Sequence, residues 1–153
     1  MTLKQVQPAR INPGKGALTF VVSGGAIDLG TARTEIINSG GITFLKGETR
    51  VVILDPIIEL SEVETTIAKV SARVFVNGAI QGRMHVFNIG GTVFGETPVM
   101  VPKNKKITAS DLPLIPTTDA ANLLNNVLGV TVFNSDTEVA TAKISVKLAS
   151  SNL

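Results

Sequence analysis

The sequence contains no cysteine, no tryptophan and no tyrosine, and it has only six phenylalanines. Without cysteine the chain cannot form disulfides, thiolate nucleophiles or zinc–sulfur sites, and its redox compartment is left open. Sugar-binding and single-strand nucleic-acid modules stack their ligands on exposed aromatic rings. The missing tryptophan and tyrosine therefore argue against both of these classes.

Charge and long hydrophobic runs are also scarce. Fourteen basic and twelve acidic residues among 153 give a net charge of +2. Nucleic-acid binders carry a dominant basic face, so nucleic acid is not an expected partner. Near the N-terminus the only apolar run is 17–22, which is too short for a signal-peptide core or a membrane span. The chain is expected to be made in the cytoplasm without a signal peptide and not to insert into a membrane.

Motifs for catalysis and cofactor binding are missing as well. The chain has no Gly-x-Ser-x-Gly elbow, no phosphate-cradling Gly-x-x-x-x-Gly-Lys and no His-Glu-x-x-His. His85, its one histidine, alternates with Gln81 and Arg83 and is expected to be an ordinary surface or interface residue. One group of acidic residues lacks the spacing of a calcium loop and is expected to be solvated: Asp55, Glu59, Glu62 and Glu64. We predict no catalytic residue, no metal and no cofactor.

The sequence does contain an internal repeat. Residues 36–53 align with residues 86–101 once Leu45 and Lys46 are deleted. Eight aligned pairs are identical: Asn38/Asn88, Gly40/Gly90, Gly41/Gly91, Phe44/Phe94, Gly47/Gly95, Glu48/Glu96, Thr49/Thr97 and Val51/Val99. Asparagine and glycine tolerate the positive φ at which a chain reverses. Six of the repeated residues are therefore predicted to form structural turns at strand ends: Asn38, Gly40, Gly41, Asn88, Gly90 and Gly91.

Short β-rich segments separated by glycine predict an all-β fold, either an antiparallel β-sandwich or a jelly-roll-like barrel built from the repeat. We divide the chain into an extended N-terminal arm at 1–16 and a single β domain at 17–153. The domain consists of a repeat unit at 17–66, a second unit at 67–137 and a closing strand at 138–148. The predicted strands are 17–22, 34–37, 42–45, 49–54, 67–76, 79–87, 92–94 and 99–101, with alternating segments at 68–76 and 140–148.

Asn77-Gly78 is the strongest hairpin signal. A simple two-residue loop would place Val74 opposite Gln81, which sets an apolar residue against a polar one on the same face. We therefore predict a three-residue loop at 77–79 with a bulge, which pairs Val74 with Gly82 and Ala72 with Met84.

One short α-helix is predicted near 119–128, inside a long insertion at 102–137. Its apolar residues recur at helical spacing, Thr117 or Thr118 can cap its start, and Gly129 can end it. Because insertions in repeats often carry binding, this segment is the first place to look for a site.

Basic residues form the remaining candidate sites. Lys103, Lys105 and Lys106 lie at the start of the insertion, and Lys4 and Arg10 lie in the arm. We interpret these five residues as possible partner contacts, although a solubilising loop and a frayed terminus would have the same composition.

A small cysteine-free β chain rich in glycine, valine, threonine and isoleucine, with a proline-bearing arm, resembles bacteriophage capsid, decoration and tail proteins. The resemblance covers composition and layout but includes no family motif, so it transfers no functional residue. It implies a structural, self-assembling virion component whose partners are other copies of itself and other virion proteins. The alternative is a non-catalytic binding module, adhesin-like or carbohydrate-binding, that uses the 102–116 loop. A small hydrolase centred on His85 is a third possibility.

Overall fold

The computed structural model describes residues 1–12, 17–28, 34–60, 67–90 and 103–148. The predicted strands at 92–94 and 99–101, together with Gly91, Glu62 and Glu64, lie outside these ranges. Within them, the chain forms ten strands and one helix. These are β1 (Thr2–Val6), β2 (Arg10–Asn12), β3 (Ala17–Ile27), β4 (Thr34–Ser39), β5 (Gly41–Lys46), β6 (Thr49–Leu60), β7 (Ile67–Val76), β8 (Ala79–Gly90), β9 (Lys106–Pro116), α1 (Thr118–Leu128) and β10 (Ala140–Lys147).

Seven of these strands close into a barrel. Pairing runs from β3 to β4, β6, β7, β8, β9 and β10 and then returns to β3. All of these pairs are antiparallel except β10 with β3, which is parallel. The prediction of an all-β fold with one short helix is confirmed. The strand near the C-terminus closes the sheet against the first half of the same chain.

The N-terminal segment is part of the same sheet. β1 pairs antiparallel with β5, and β2 pairs antiparallel with the first residues of β3. Both strands therefore lie against their own chain. The division into an arm and two repeat units stays a prediction.

The predicted turn at Asn38, Gly40 and Gly41 is wrong, because the chain does not reverse there. β4 and β5 lie end to end along the same edge of β6, with Ile37 opposite Ile57 and Gly41 opposite Leu54. Between these two pairs, three residues on one side (38–40) thus face two on the other (55 and 56), which is a β-bulge. Gly40 has a φ of +85°, so glycine is needed to kink the strand rather than to turn it.

The second predicted turn does not begin at Asn88 either. Asn88 lies inside β8, paired with Lys69 on one side and Ile115 on the other, and Gly90 is still paired with Ile67. A strand with neighbours on both edges holds Asn88 in extended backbone, whatever its turn propensity.

The β7–β8 hairpin has the predicted register, with Val74 opposite Gly82 and Ala72 opposite Met84. Its loop is shorter than predicted, because Val76 already pairs with Ala79 and leaves only Asn77 and Gly78 between the strands. Both loop residues have positive φ, at 49° and 87°, as a two-residue turn requires. The bulge lies after the turn, where β8 shifts register before Gly82.

The predicted loop at 102–116 is wrong for most of its length, because residues 106–116 form strand β9. Ile107 and Ala109 are buried, and so are Leu112 and Leu114. A bulge next to Asp111, whose φ is +56°, shifts the alternation by one residue and hides the strand period in the sequence.

Helix α1 is confirmed, together with its predicted ends. The Thr117 hydroxyl accepts a hydrogen bond from the Ala120 amide at 3.1 Å and donates one to the His85 carbonyl at 2.9 Å. Gly129 ends the helix at a φ of 64°. Ala120, Ala121, Leu124 and Leu128 are buried, and α1 contacts β6, β8 and β9. A cap of this kind stabilises a helix by about 1 kcal/mol.

Alternate residues of the barrel strands point inward and form one core. In β7, for example, Ala68, Val70, Ala72 and Val74 are at most 1% exposed. This pattern follows from the period of two along a strand. No helix in the described part of the chain is both long and apolar enough to cross a membrane.

Candidate binding site

The barrel wall is open between β3 and β10. The two strands pair only from Ala17 to Phe20 on β3 and from Thr141 to Ile144 on β10. Beyond that point β3 continues to Ile27 and β10 continues to Lys147, but the two no longer pair with each other. We call the resulting gap the β3–β10 cleft.

The strands separate because each follows its other neighbour. A bulge at Ser23 shifts the register of β3 against β4, and the Ser23 hydroxyl donates a hydrogen bond to the Ile37 carbonyl at 3.2 Å. Gly25 then has a φ of +123° and lies so close to β4 that a Cβ would be 2.1 Å from the Glu35 carbonyl oxygen. β3 is therefore held tightly against β4.

On the other side, β10 follows β9. Val146 pairs with Ile107 and Lys147 with Lys106. The Leu148 amide extends this pairing by donating a hydrogen bond to the Lys105 carbonyl at 2.8 Å. β3 is thus held by β4, and β10 is held by β9. The gap between β3 and β10 is therefore preformed in the barrel.

The cleft has a volume of about 600 Å³, within the range of pockets that bind ligands. Phe20, Ile36 and Val146 line it and are at most 9% exposed, so it reaches the apolar core. Its polar lining comes from Ser23, Glu35, Ser145 and Lys147.

One wall of the cleft is a strand edge with unpaired backbone groups. Among the described residues, nothing pairs with the β10-facing edge of β3 from Val21 to Ile27. The six steps from Val21 to Ile27, at about 3.3 Å each, make an edge about 20 Å long. Unpaired N–H and C=O groups along such an edge are a template for another strand.

The end of β10 beside the cleft is basic. Lys147 lines the cleft and lies directly opposite Lys106 in the β9–β10 pairing, and Lys105 contacts Leu148 through its backbone. We call Lys105, Lys106 and Lys147 the lysine cluster. All three side chains are exposed, and none forms an ion pair within the described ranges.

The structure separates the five basic residues predicted as partner contacts. Lys105 and Lys106 lie in the lysine cluster, and Lys103 is exposed two residues before Lys105. Lys4 and Arg10 lie on β1 and β2, opposite Thr43 and Thr19, and do not line the cleft. Whether any of them contacts a partner stays a prediction.

Within the described residues, His85 and Asp55 make separate contacts and do not form a reactive group. His85 is half-buried on β8, with its Nε2 atom 3.0 Å from the Phe87 carbonyl oxygen. Asp55 forms an ion pair with Arg73 and accepts a hydrogen bond from the Gly40 amide, which holds the bulge together. In the described part of the chain, no three histidine, aspartate or glutamate side chains are close enough to hold a metal ion.

No protein-family model and no curated protein matches the sequence. Solved structures do match. The chain shares its fold with the C-terminal domain of HtaA. A domain-swapped dimer of a variant of this domain, from Corynebacterium glutamicum, aligns over 97% of this chain and 83% of that chain, with a TM-score of 0.65 and 15% identity. The same HtaA domain in another crystal structure aligns over 92% and 78%, with a TM-score of 0.60 and 14% identity.

This likeness corrects the functional interpretation of the sequence. The interpretation as a bacteriophage virion component is wrong, since the two structures named above, which share the fold, are bacterial HtaA domains and not capsid, decoration or tail proteins. A β-rich, cysteine-free composition predicts a fold class, but it does not predict the particle or the organism in which the protein acts. At 14–15% identity the likeness to HtaA shows the fold alone.

Sequence reasoning missed the β3–β10 cleft. One signal was present, because Gly24 and Gly25 lie inside a strand, where glycine often marks a bulge or a close backbone approach. The position of Lys147 across from Lys106 had no sequence signal, since it depends on the pairing of strands that are about forty residues apart.

Proposed function

We propose that this chain is a non-catalytic binding module that takes up an extended polypeptide segment in the β3–β10 cleft. The observation that carries the proposal is the unpaired edge of β3 from Val21 to Ile27, next to an opening into the apolar core. An added strand would satisfy the free backbone groups and would place alternate side chains on the apolar floor.

The comparison with HtaA supports strand uptake. A variant of its C-terminal domain forms a domain-swapped dimer, and domain swapping exchanges an element between two copies of a protein. A fold that accepts an element from another copy can accept a segment from another chain. The absence of tryptophan and tyrosine disfavours a sugar as the ligand.

The proposal is tested with a synthetic peptide of seven residues, in which valine and threonine alternate and both termini are blocked. We expect saturable binding by isothermal titration calorimetry, with one peptide per chain. The matched control is the same peptide with alternate amide nitrogens methylated along one edge. Methylation removes backbone donors but leaves every side chain, so strand addition should be lost.

Equal binding of the two peptides would overturn the proposal, because binding by strand addition requires the backbone N–H groups of the peptide. No binding of either peptide at millimolar concentration would also overturn it. Peptide-dependent formation of dimers would point to exchange between copies of this chain instead, and light scattering during the titration detects it.

A further inference from the structure

We infer that the cleft selects an acidic strand, one whose outward-facing side chains are carboxylates. This inference rests on the proposed function and adds the chemical class of the partner. It is drawn from the lysine cluster, which is independent of the open edge on β3.

The lysine cluster is placed to meet the outward face of an added strand. The buried residues Ile107 and Val146 point into the barrel, so the neighbouring Lys106 and Lys147 point outward by strand alternation. Thr108 and Ser145 lie on the same outer face, where their hydroxyl oxygens are 3.2 Å apart. A strand in the cleft would present its own outward side chains beside Lys147.

The cluster lacks a neutralising partner among the described residues. Like charges directly opposite each other on paired strands are destabilising, and Lys106 and Lys147 are such a pair. Carboxylates on an incoming strand would relieve this repulsion. Glu35, on β4, also lines the cleft and carries a negative charge. It would repel carboxylates near β4, so the acidic side chains of a bound strand are expected beside Lys147.

The other polyanion that a lysine cluster attracts is nucleic acid. The structure favours a polypeptide, because the cleft offers backbone pairing and an apolar floor. Single strands are bound by stacking of their bases on aromatic rings. Among the described residues that line the cleft, Phe20 alone is aromatic, and it is buried.

The test uses three peptides on the valine–threonine frame, in which the threonines are kept, replaced by aspartate or replaced by lysine. At low ionic strength the aspartate peptide should bind about tenfold more tightly than the threonine peptide, and the lysine peptide more weakly than either. The difference should shrink to about twofold or less at 1 M salt, where the Debye length is about 3 Å.

The matched variants are Lys147→Glu and Lys4→Glu, which make the same charge change inside and outside the cluster. Lys147→Glu should weaken binding of the aspartate peptide about tenfold relative to the threonine peptide and should strengthen binding of the lysine peptide. Lys4→Glu should change none of the three by more than about twofold. Tighter binding of the lysine peptide also shows that the Lys147→Glu protein is folded.

The outcomes separate the inference from the proposed function. If the threonine peptide binds and the aspartate peptide binds no more tightly, the acidic partner is excluded while strand uptake stands. If an N-methylated aspartate peptide binds as well as the unmodified one, the cluster attracts any anion and both proposals fail. Equal affinity for a seven-residue thymidine oligonucleotide would overturn the choice of a polypeptide.

Discussion

Replacing Gly41 with alanine should lower the free energy of unfolding by about 3 kcal/mol or more, or prevent folding altogether. A Cβ at this position would lie 1.8 Å from the Ile53 carbonyl oxygen on β6. That oxygen belongs to the backbone of a paired strand, so it cannot move aside as the end of a flexible side chain can. Urea unfolding of the purified variant measures the loss.

Gly47→Ala is the matched control. Gly47 has a φ of +61° in the β5–β6 turn, but a Cβ there would meet nothing within 4 Å. Its cost is only the conformational preference, about 1 kcal/mol. Similar unfolding midpoints for the two variants would show that β5 does not approach β6 as closely as described.

Replacing Asn38 with aspartate should cost about 3–5 kcal/mol at neutral pH. The Asn38 side chain is 1% exposed, and its Nδ2 atom donates to the carbonyl oxygens of Ile36 and Pro56, both at 3.1 Å. Aspartate has the same shape but would bury a negative charge against two acceptors. Chemical unfolding at pH 7 gives the loss directly.

The same loss should be smaller at acid pH. Burial would raise the pKa of the introduced carboxyl above its unfolded value of about 3.9. Stability is then greatest below the unfolded pKa and falls as pH rises through the folded pKa. Asn77→Asp is the control, because Asn77 uses its Oδ1 atom to accept from the Arg50 amide and aspartate keeps that acceptor. A cost equal to that of the control would contradict the buried role of Asn38.

The β7–β8 hairpin and helix α1 could be predicted from the sequence, because their geometry depends on residues that are close in the chain. The Asn77-Gly78 pair and the polarity of β7 and β8 determine the hairpin register, since a mismatch would bury polar residues. The apolar stripe of α1 and its capping residues Thr117 and Gly129 lie within one short segment. These parts of the fold follow from the sequence because their partners are close in the chain.

The misinterpreted segments depend on distant partners. Gly40 does adopt positive φ, as its residue type indicates, but only the path of β6 shows that the result is a bulge rather than a reversal. The alternation of β9 is interrupted at Asp111, so its period is visible only against β10. Bulges preserve long-range pairing while they break the local period, and for this reason sequence patterns miss them.

The β3–β10 cleft is a further consequence of distant pairing. It exists because β3 follows β4 and β10 follows β9, although all four strands belong to one barrel. The sequence marks only the glycines of β3, and it cannot show that a second strand diverges beside them. The cleft therefore depends on the pairing of four strands, and no single sequence motif predicts it.

Amide hydrogen exchange of the protein, with and without the valine–threonine peptide, tests strand uptake most directly. We expect alternate amides from Val21 to Ile27 to exchange rapidly in the free protein and to become protected by at least about tenfold when the peptide is bound, while the β7–β8 amides do not change. Protection of these β3 amides in the free protein, or no gain when the peptide is bound, would contradict an open edge that receives a strand.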